Sequence, residues 1–287
     1  MELKPYYYRS EIINNYWEVP LYVCKRGLSS GLILVEPFDK KMQTIPNFLL
    51  EDYINEDDSE YKKVFIPKEN ELYTISDYET RLLSRFHYSW FNILMEYLLT
   101  DNFKNTIAAT IKERKTSEVF PEPTQIFSAF LTDYYSIKCL WLGLSPYFTK
   151  QNGVNDSNGF AFSTYNKNKT ASLNILQEGI RKDMKYGFNW VLRNDLFHLN
   201  QQGIMLLNSA LTTTSDANSH ILLWKEFIQY VIDKLDVPII AFGKVAQSFQ
   251  FKNKVWNVYH PAYYARSKSE PDYTCFSELN EILNIEY

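Results

Sequence analysis

The spacing of apolar residues changes several times along the chain, and each change marks an element. Near the start, Leu21-Tyr22-Val23-Cys24 and Leu32-Ile33-Leu34-Val35 flank a loop from Gly27 to Gly31. Two β-rich runs around glycines predict a hairpin. Val64-Phe65-Ile66 predicts another short strand, after an acidic stretch (51–60) that reads as a solvated loop. From Asp77 the period becomes helical: Leu82, Leu83, Phe86, Trp90, Ile93, Leu94, Tyr97 and Leu98 share a face, with Ser76 or Asp77 as N-cap. Asp101 is placed to cap a second helix through Phe103, Ile107 and Ile111, which cannot continue through Phe120-Pro121-Glu122-Pro123. Thr124 to Leu131 predicts one more helix.

Beyond it the pattern becomes regular. Four short apolar runs each end in glycine or a polar residue: Ile137 to Leu142 before Gly143, Ile204 to Leu207 before Asn208, Pro238 to Phe242 before Gly243, and Trp256 to Tyr259 before His260. Helical patterns separate or follow them: Thr170 to Lys185 (begun near Thr170 or Ser172), Trp224 to Leu235, and Phe276 to Leu283. Strands alternating with helices predict an α/β fold, with a central, mostly parallel four-stranded sheet covered on both faces. The expected organisation is an N-terminal, partly β extension (residues 1–87) and an α/β/α domain (88–287). In a parallel sheet all carboxyl ends open on one edge, where ligands bind. Ser145, Asn208, Lys244 and His260 are thereby expected around one crevice, beside the aromatic segment Phe160-Ala161-Phe162.

Composition narrows this picture. At 45% apolar residues over 287, a sizeable core is available. No apolar run reaches the length of a membrane span, and Met1-Glu2-Leu3-Lys4-Pro5 opens no signal-like segment, so no membrane is expected and a cytoplasmic location is. Cys24, Cys139 and Cys275 form no CxxC pair; they read as buried free thiols rather than ligands, and no metal or cofactor is expected. The net charge of −4 is uneven: −5 over residues 1–100 and +1 over the rest. A local patch, not the total, must decide whether nucleic acid binds.

The strand ends also carry motifs. Gly143-Leu144-Ser145-Pro146-Tyr147 resembles the G-Q-D-P-Y water-activating loop of the uracil-DNA glycosylase superfamily, and Gly159-Phe160-Ala161-Phe162-Ser163 resembles its G-L-A-F-S base-stacking segment. A-S-L-N-I at 171–175 is similar to its P-S-L-x-N-I helix start, Q-G-I-M-L-L-N-S-A-L-T at 202–212 to Q-G-V-L-L-L-N-x-x-L-T, and H-P-A-Y-Y-A-R at 260–266 to the H-P-S-P-L-S minor-groove loop. S-H-I-L-L-W-K-E-F and V-F-P-E-P-T-Q-I-F-S-A-F echo two further segments, all in family order over residues 88–287.

That resemblance implies DNA as partner and a metal-free, monofunctional glycosylase that flips a pyrimidine and hydrolyses its N-glycosidic bond. Phe162 would stack on the base, Asn208 would read its Watson–Crick edge, and Tyr147 would wall off C5. His260 would donate to the base O2, helped by backbone N–H groups at Leu144 and Ser145. Tyr264 stands in the place of the intercalating leucine; Lys244, Arg266 and Ser172 would contact phosphates, with Lys150 and Lys268 in support. Ser145 departs from the family's aspartate: serine holds a water but supplies no negative charge, a loss on the order of a hundredfold. The changed loop from Lys150 to Asn158 and Ser145 leave open a modified pyrimidine and a role in phage defence rather than uracil repair. They also leave open a catalytically impaired DNA-binding or replication scaffold, with residues 1–87 as a protein-binding module.

Taken singly, a strand-terminal Asn or His is more often a loop hydrogen bond than a catalyst, and Phe160 and Phe162 read as core. Tyr263 and Tyr264 read as ordinary surface. His87, His198 and His220 read as structural, and Lys167, Lys169, Arg181, Lys182 and Lys185 as a solvated helix face. The joint, ordered occurrence of the motifs is what outweighs those readings.

Overall fold

A computed structural model of the chain describes four strands, β1 (Leu3–Arg9), β2 (Glu18–Arg26), β3 (Ser29–Val35) and β4 (Met42–Gln43), together with residues 85–98 and 100–287. It divides into two compact units, Met1–Leu99 and Thr100–Tyr287.

In the first unit the expected hairpin is present. β2 and β3 pair antiparallel, Leu21 opposite Leu34 and Cys24 opposite Gly31, within an antiparallel sheet of order β1-β2-β3-β4. The expected strand at Val64, the acidic loop at 51–60 and the cap at Ser76 or Asp77 lie outside the described residues. Of the helical pattern, Tyr88–Trp90 forms a 3₁₀ turn and Phe91–Leu98 the helix α1, with Trp90, Leu94 and Leu98 buried at four-residue spacing.

The second unit is built on a four-stranded parallel sheet of order β10-β9-β5-β8: β5 (Cys139–Gly143), β8 (Ile204–Asn208), β9 (Ile239–Phe242) and β10 (Val255–Val258). β5, the first of these strands in sequence, lies inside the sheet, so the chain leaves it to one side for β8 and crosses to the other for β9. A parallel sheet has its ligand crevice at such a reversal. β5, β8 and β9 are buried throughout, as their uninterrupted apolar runs require.

Helices cover both faces. On one, α2 (Asp101–Glu113) meets α5 (Ile221–Lys234): Phe103 packs 5.0 Å from Phe227 and edge-on to Trp224, with Phe127 and Phe130 completing the cluster. Thr100, rather than Asp101, caps α2, its hydroxyl accepting from the Phe103 N–H at 3.2 Å. On the other face lie α3 (Ala171–Asp183), α7 (Pro261–Ser267) and α8 (Cys275–Leu283). Trp141 of β5 packs there against Phe242, Phe276 and Tyr287. Cys139 and Cys275 are buried free thiols, their pKa values pushed up by burial.

Shorter elements complete the unit: β6 (Lys150–Gln151) and β7 (Val154–Asn155) form a small antiparallel ribbon, α4 spans Phe197–Gln201 and α6 Gly243–Ala246. The helix expected over Thr124 to Leu131 is two 3₁₀ turns, Pro123–Gln125 and Ser128–Leu131. Among the described residues no helix is long and apolar enough to cross a membrane.

Candidate active site

Three glycine-dependent close approaches assemble the crevice. β5 ends at Gly143, where a Cβ would lie 2.8 Å from Asn208 Oδ1 and 3.3 Å from Phe162 Cζ. Only a residue without a side chain lets that amide and that ring tip meet over the end of the strand. The Ser209 N–H and hydroxyl both donate to the Gly143 carbonyl, at 3.0 and 2.6 Å, and lock the two strand ends in step. At the end of β9, Gly243 adopts φ +87, and a Cβ there would stand 2.9 Å from that of His260. Gly159 opens the aromatic segment at φ +90, where any Cβ would collide with the Gln125 carbonyl.

Phe162 is the centre of the cluster. Its φ of +63 is left-handed, costly for a bulky side chain, and the surroundings fix it there. The Ala161 N–H donates to the Leu206 carbonyl at 3.1 Å, the Tyr147 hydroxyl to the Phe162 carbonyl at 3.1 Å, and the Asn158 amide to the Ser163 hydroxyl at 2.7 Å. The ring packs 4.8 Å from Phe242 and 5.5 Å from the His260 imidazole. Asn208, Phe162 and His260 therefore share one site, with Tyr147 bonded to it, as the sequence pattern led us to expect. Asn208 is buried and His260 half-buried. Ser145 and Leu144, also half-buried, occupy the turn after β5, where Leu144 accepts from the Ala210 N–H at 3.0 Å.

His260 caps α7, accepting at Nδ1 from the Ala262 N–H at 3.1 Å. An accepting Nδ1 carries no proton, so the neutral ring carries its proton on Nε2 and can donate from there. Burial, reinforced by the nearby positive charge of Arg266, pushes this imidazole down to about 4. The ring is thus an uncharged donor throughout the neutral range. Burial likewise holds the Tyr147 hydroxyl well above its ordinary value, with a smaller contribution from the charge of Asp156.

The chain has counterparts among known proteins. The family model described as the uracil DNA glycosylase superfamily matches residues 133–284. The uracil-DNA glycosylase of Clostridioides difficile is 32% identical over 211 residues, covering 68% of this chain and 90% of its own length. This chain belongs to the uracil-DNA glycosylase superfamily. The corresponding enzyme of Aliarcobacter butzleri is 36% identical over 188 residues, 60% of this chain and 84% of that protein. A crystal structure of mimivirus uracil-DNA glycosylase shares the fold, with a TM-score of 0.60 at 22% identity over 69% of this chain and 83% of that one.

Within this glycosylase framework the rim differs from expectation. Tyr264 is 4% exposed: its hydroxyl donates to Asp272 and its ring packs among Tyr259, Tyr263 and Tyr273. In this state it cannot enter a duplex. Tyr259 and Tyr263, at 57% and 43% exposure, stack face to face at 4.5 Å beside His260 and are the rings the rim presents. Sequence reasoning passed over Tyr259, although an aromatic at each side of His-Pro was a usable signal. Lys244, Arg266 and Lys268 are exposed, whereas Lys150 pairs with Glu118. Ser172 lies in the first turn of α3, whose cap is the Thr170 hydroxyl. Arg181 and Lys182 are neutralised by Glu178 and Glu270, and Lys169 donates to Asn194, in keeping with an ordinary helix face. His220 is buried, bonded to Thr212 at 2.7 Å and Glu113 at 2.7 Å, and ties α2 to the segment after β8.

Proposed function

We propose that this chain removes uracil from DNA by hydrolysing its N-glycosidic bond without metal or cofactor, leaving an abasic site. The observation that carries the reading is the meeting of a carboxamide and a phenyl ring over Gly143, with an Nε2-protonated neutral imidazole 5.5 Å from that ring.

The everted ring lies against Phe162, and the Asn208 amide, with a donor and an acceptor, answers the N3–H and O4 of a uracil edge. As the C1′–N1 bond breaks, its electron pair moves into the base and charge collects on O2. The His260 Nε2–H donates to that oxygen, the kind of preorganised contact that contributes about 10²–10³ in rate. A water held near Ser145 adds to C1′, and its proton passes to the departing base, so the products are a neutral base and a C1′ hydroxyl. Tyr147 is fastened to the Phe162 carbonyl, which favours an unsubstituted C5 over the bulkier pyrimidines of phage DNA. The Tyr259–Tyr263 pair stacks on bases beside the everted nucleotide, taking the part first given to Tyr264, while Lys244, Arg266 and Lys268 meet phosphates. Repair follows from uracil as substrate.

Incubating oligonucleotides that contain uracil, thymine, hydroxymethylcytosine or glucosylated hydroxymethylcytosine, followed by alkali, tests this. We expect strand breakage at uracil alone. Breakage only at a modified cytosine would move the protein to defence against modified DNA; tight binding with no breakage at all would make it a scaffold.

A further inference from the structure

The loop that separates this chain from its family's pattern holds a buried carboxylate with no cation beside it. Asp156, at the end of the β6–β7 ribbon, is 3% exposed. Its oxygens accept from the Thr149 hydroxyl at 2.6 Å, the Gln151 amide at 2.6 Å and the Asn166 amide at 2.8 Å. All three donors are neutral, and among the described residues Asp156 enters no ion pair. Burying an ion is expensive when only neutral groups compensate it. A loop anchor has no need of that cost, because an asparagine oxygen accepts two of the same bonds uncharged.

The position of the charge gives it a use. Thr149 lies two residues beyond Tyr147 and Asn166 four beyond Phe162, and the Asp156 N–H donates back to the Thr149 carbonyl at 2.9 Å. Asp156 is thereby clamped between the two arms of the chain that form the pocket wall. Two residues on, Asn158 holds Ser163 at 2.7 Å, and Ser128 holds the Asn158 carbonyl at 2.8 Å, so the clamp is rigid. The adjacent Ser157 hydroxyl is buried without a protein partner among the described residues. Burial holds the Tyr147 hydroxyl above its ordinary value, and the charge of Asp156 acts in the same direction.

We propose that Asp156 supplies, from the rebuilt loop, the negative charge that Ser145 does not, and so stabilises the positively charged sugar formed as the base departs. It acts through space in a region of low dielectric, where one charge is felt over several ångströms. The inference rests on the glycosylase reading of the site and adds to it the source of the electrostatic help.

The test is a binding measurement that requires no turnover. Oligonucleotides carrying a protonated pyrrolidine in place of one nucleotide mimic the cationic sugar, and the same strands with tetrahydrofuran are the neutral control. We expect the unaltered protein to prefer the cationic probe by on the order of tenfold. D156N should lose that preference while binding the tetrahydrofuran strand as before; N166A, which removes a donor and leaves the charge, should keep it. S145D placed in the D156N background should restore it. A D156N protein that retains the preference, or one that loses affinity for both probes alike, overturns the proposal, as does an unaltered protein that never discriminates. Discrimination without uracil release would instead sink the substrate reading and leave the role of Asp156 standing.

Discussion

The pocket has two walls, and they differ in how closely they keep to the family pattern. The wall to which our reading assigns the base is built from the ends of β5, β8 and β9 with Phe162 between them, where Gly143 and Gly243 allow contacts that no other residue would. The wall to which we assign the sugar is the turn at Ser145 and the loop through Asp156, carried on a short ribbon. The first keeps the amide, ring and imidazole of the resemblance; the second has serine where the resemblance has its carboxylate, and a changed loop. Recognition of a base depends on fixed edges at hydrogen-bond distance and tolerates little change. Stabilising a diffuse positive charge depends on field, which falls off gradually and can be supplied from elsewhere.

Breaking the base wall should cost most. H260A is expected to lower kcat by about a thousandfold with little change in DNA affinity, and N208A by about a hundredfold, both measured as uracil release under single-turnover conditions. G143A comes next: its new methyl must displace the Asn208 oxygen, costing on the order of a hundredfold in rate. The melting temperature should fall modestly, because the core beneath is untouched. A comparable loss of fold in G143A would show that the glycine serves packing rather than placement.

At the rim the effects shrink. Y263A should weaken binding to single-stranded DNA by roughly tenfold, as the loss of one stacking surface of about 1–3 kcal/mol implies. Y264F should leave affinity unchanged and cost about 1 kcal/mol of stability through the lost bond to Asp272. The pH profile discriminates most finely. With the folded His260 pKa near 4, excision should show no acid limb from this group at pH 6.5 and should fall only toward pH 4. Stability has the matching sign. Between the ordinary imidazole value and about 4 the unfolded chain binds a proton that the folded chain does not, so the fold weakens as pH drops through that window. An acid limb centred on 6.5 that disappears in H260Q would contradict the burial described.

How much of this was legible beforehand follows from what each feature depends on. Three of the four strands could be read because buried parallel strands must be continuously apolar, and their ends because the apolar run stops at Gly143, Asn208 and Gly243; the half-exposed edge strand β10, interrupted by Asn257, was marked by its β-branched and aromatic residues. What depends on several side chains packing at once could not. Tyr264 and Tyr263 are neighbours of identical type, and only the shared packing with Tyr273 and the bond to Asp272 send one inward. Two 3₁₀ turns, Pro123–Gln125 and Ser128–Leu131, stand in place of one expected helix; between them the Gln125 carbonyl accepts from the Ser128 hydroxyl at 2.9 Å and faces Gly159, a long-range fit that no local pattern carries. The helix after His260 was readable, a polar cap followed by proline at the first position, yet residues 260–266 were read as a loop.

The proline-rich segment before β5 is sewn to both walls. Phe120 exchanges backbone bonds with Thr213 at 2.7 and 2.9 Å beyond β8, Glu122 receives the Asn155 amide at 2.9 Å, and Glu118 pairs with Lys150. A different loop after β5, lacking Lys150 and Asn155, would cut the stitches on one side and leave residues 118–125 held by the other. Anyone exchanging parts between these enzymes should therefore transplant the two segments as a matched pair.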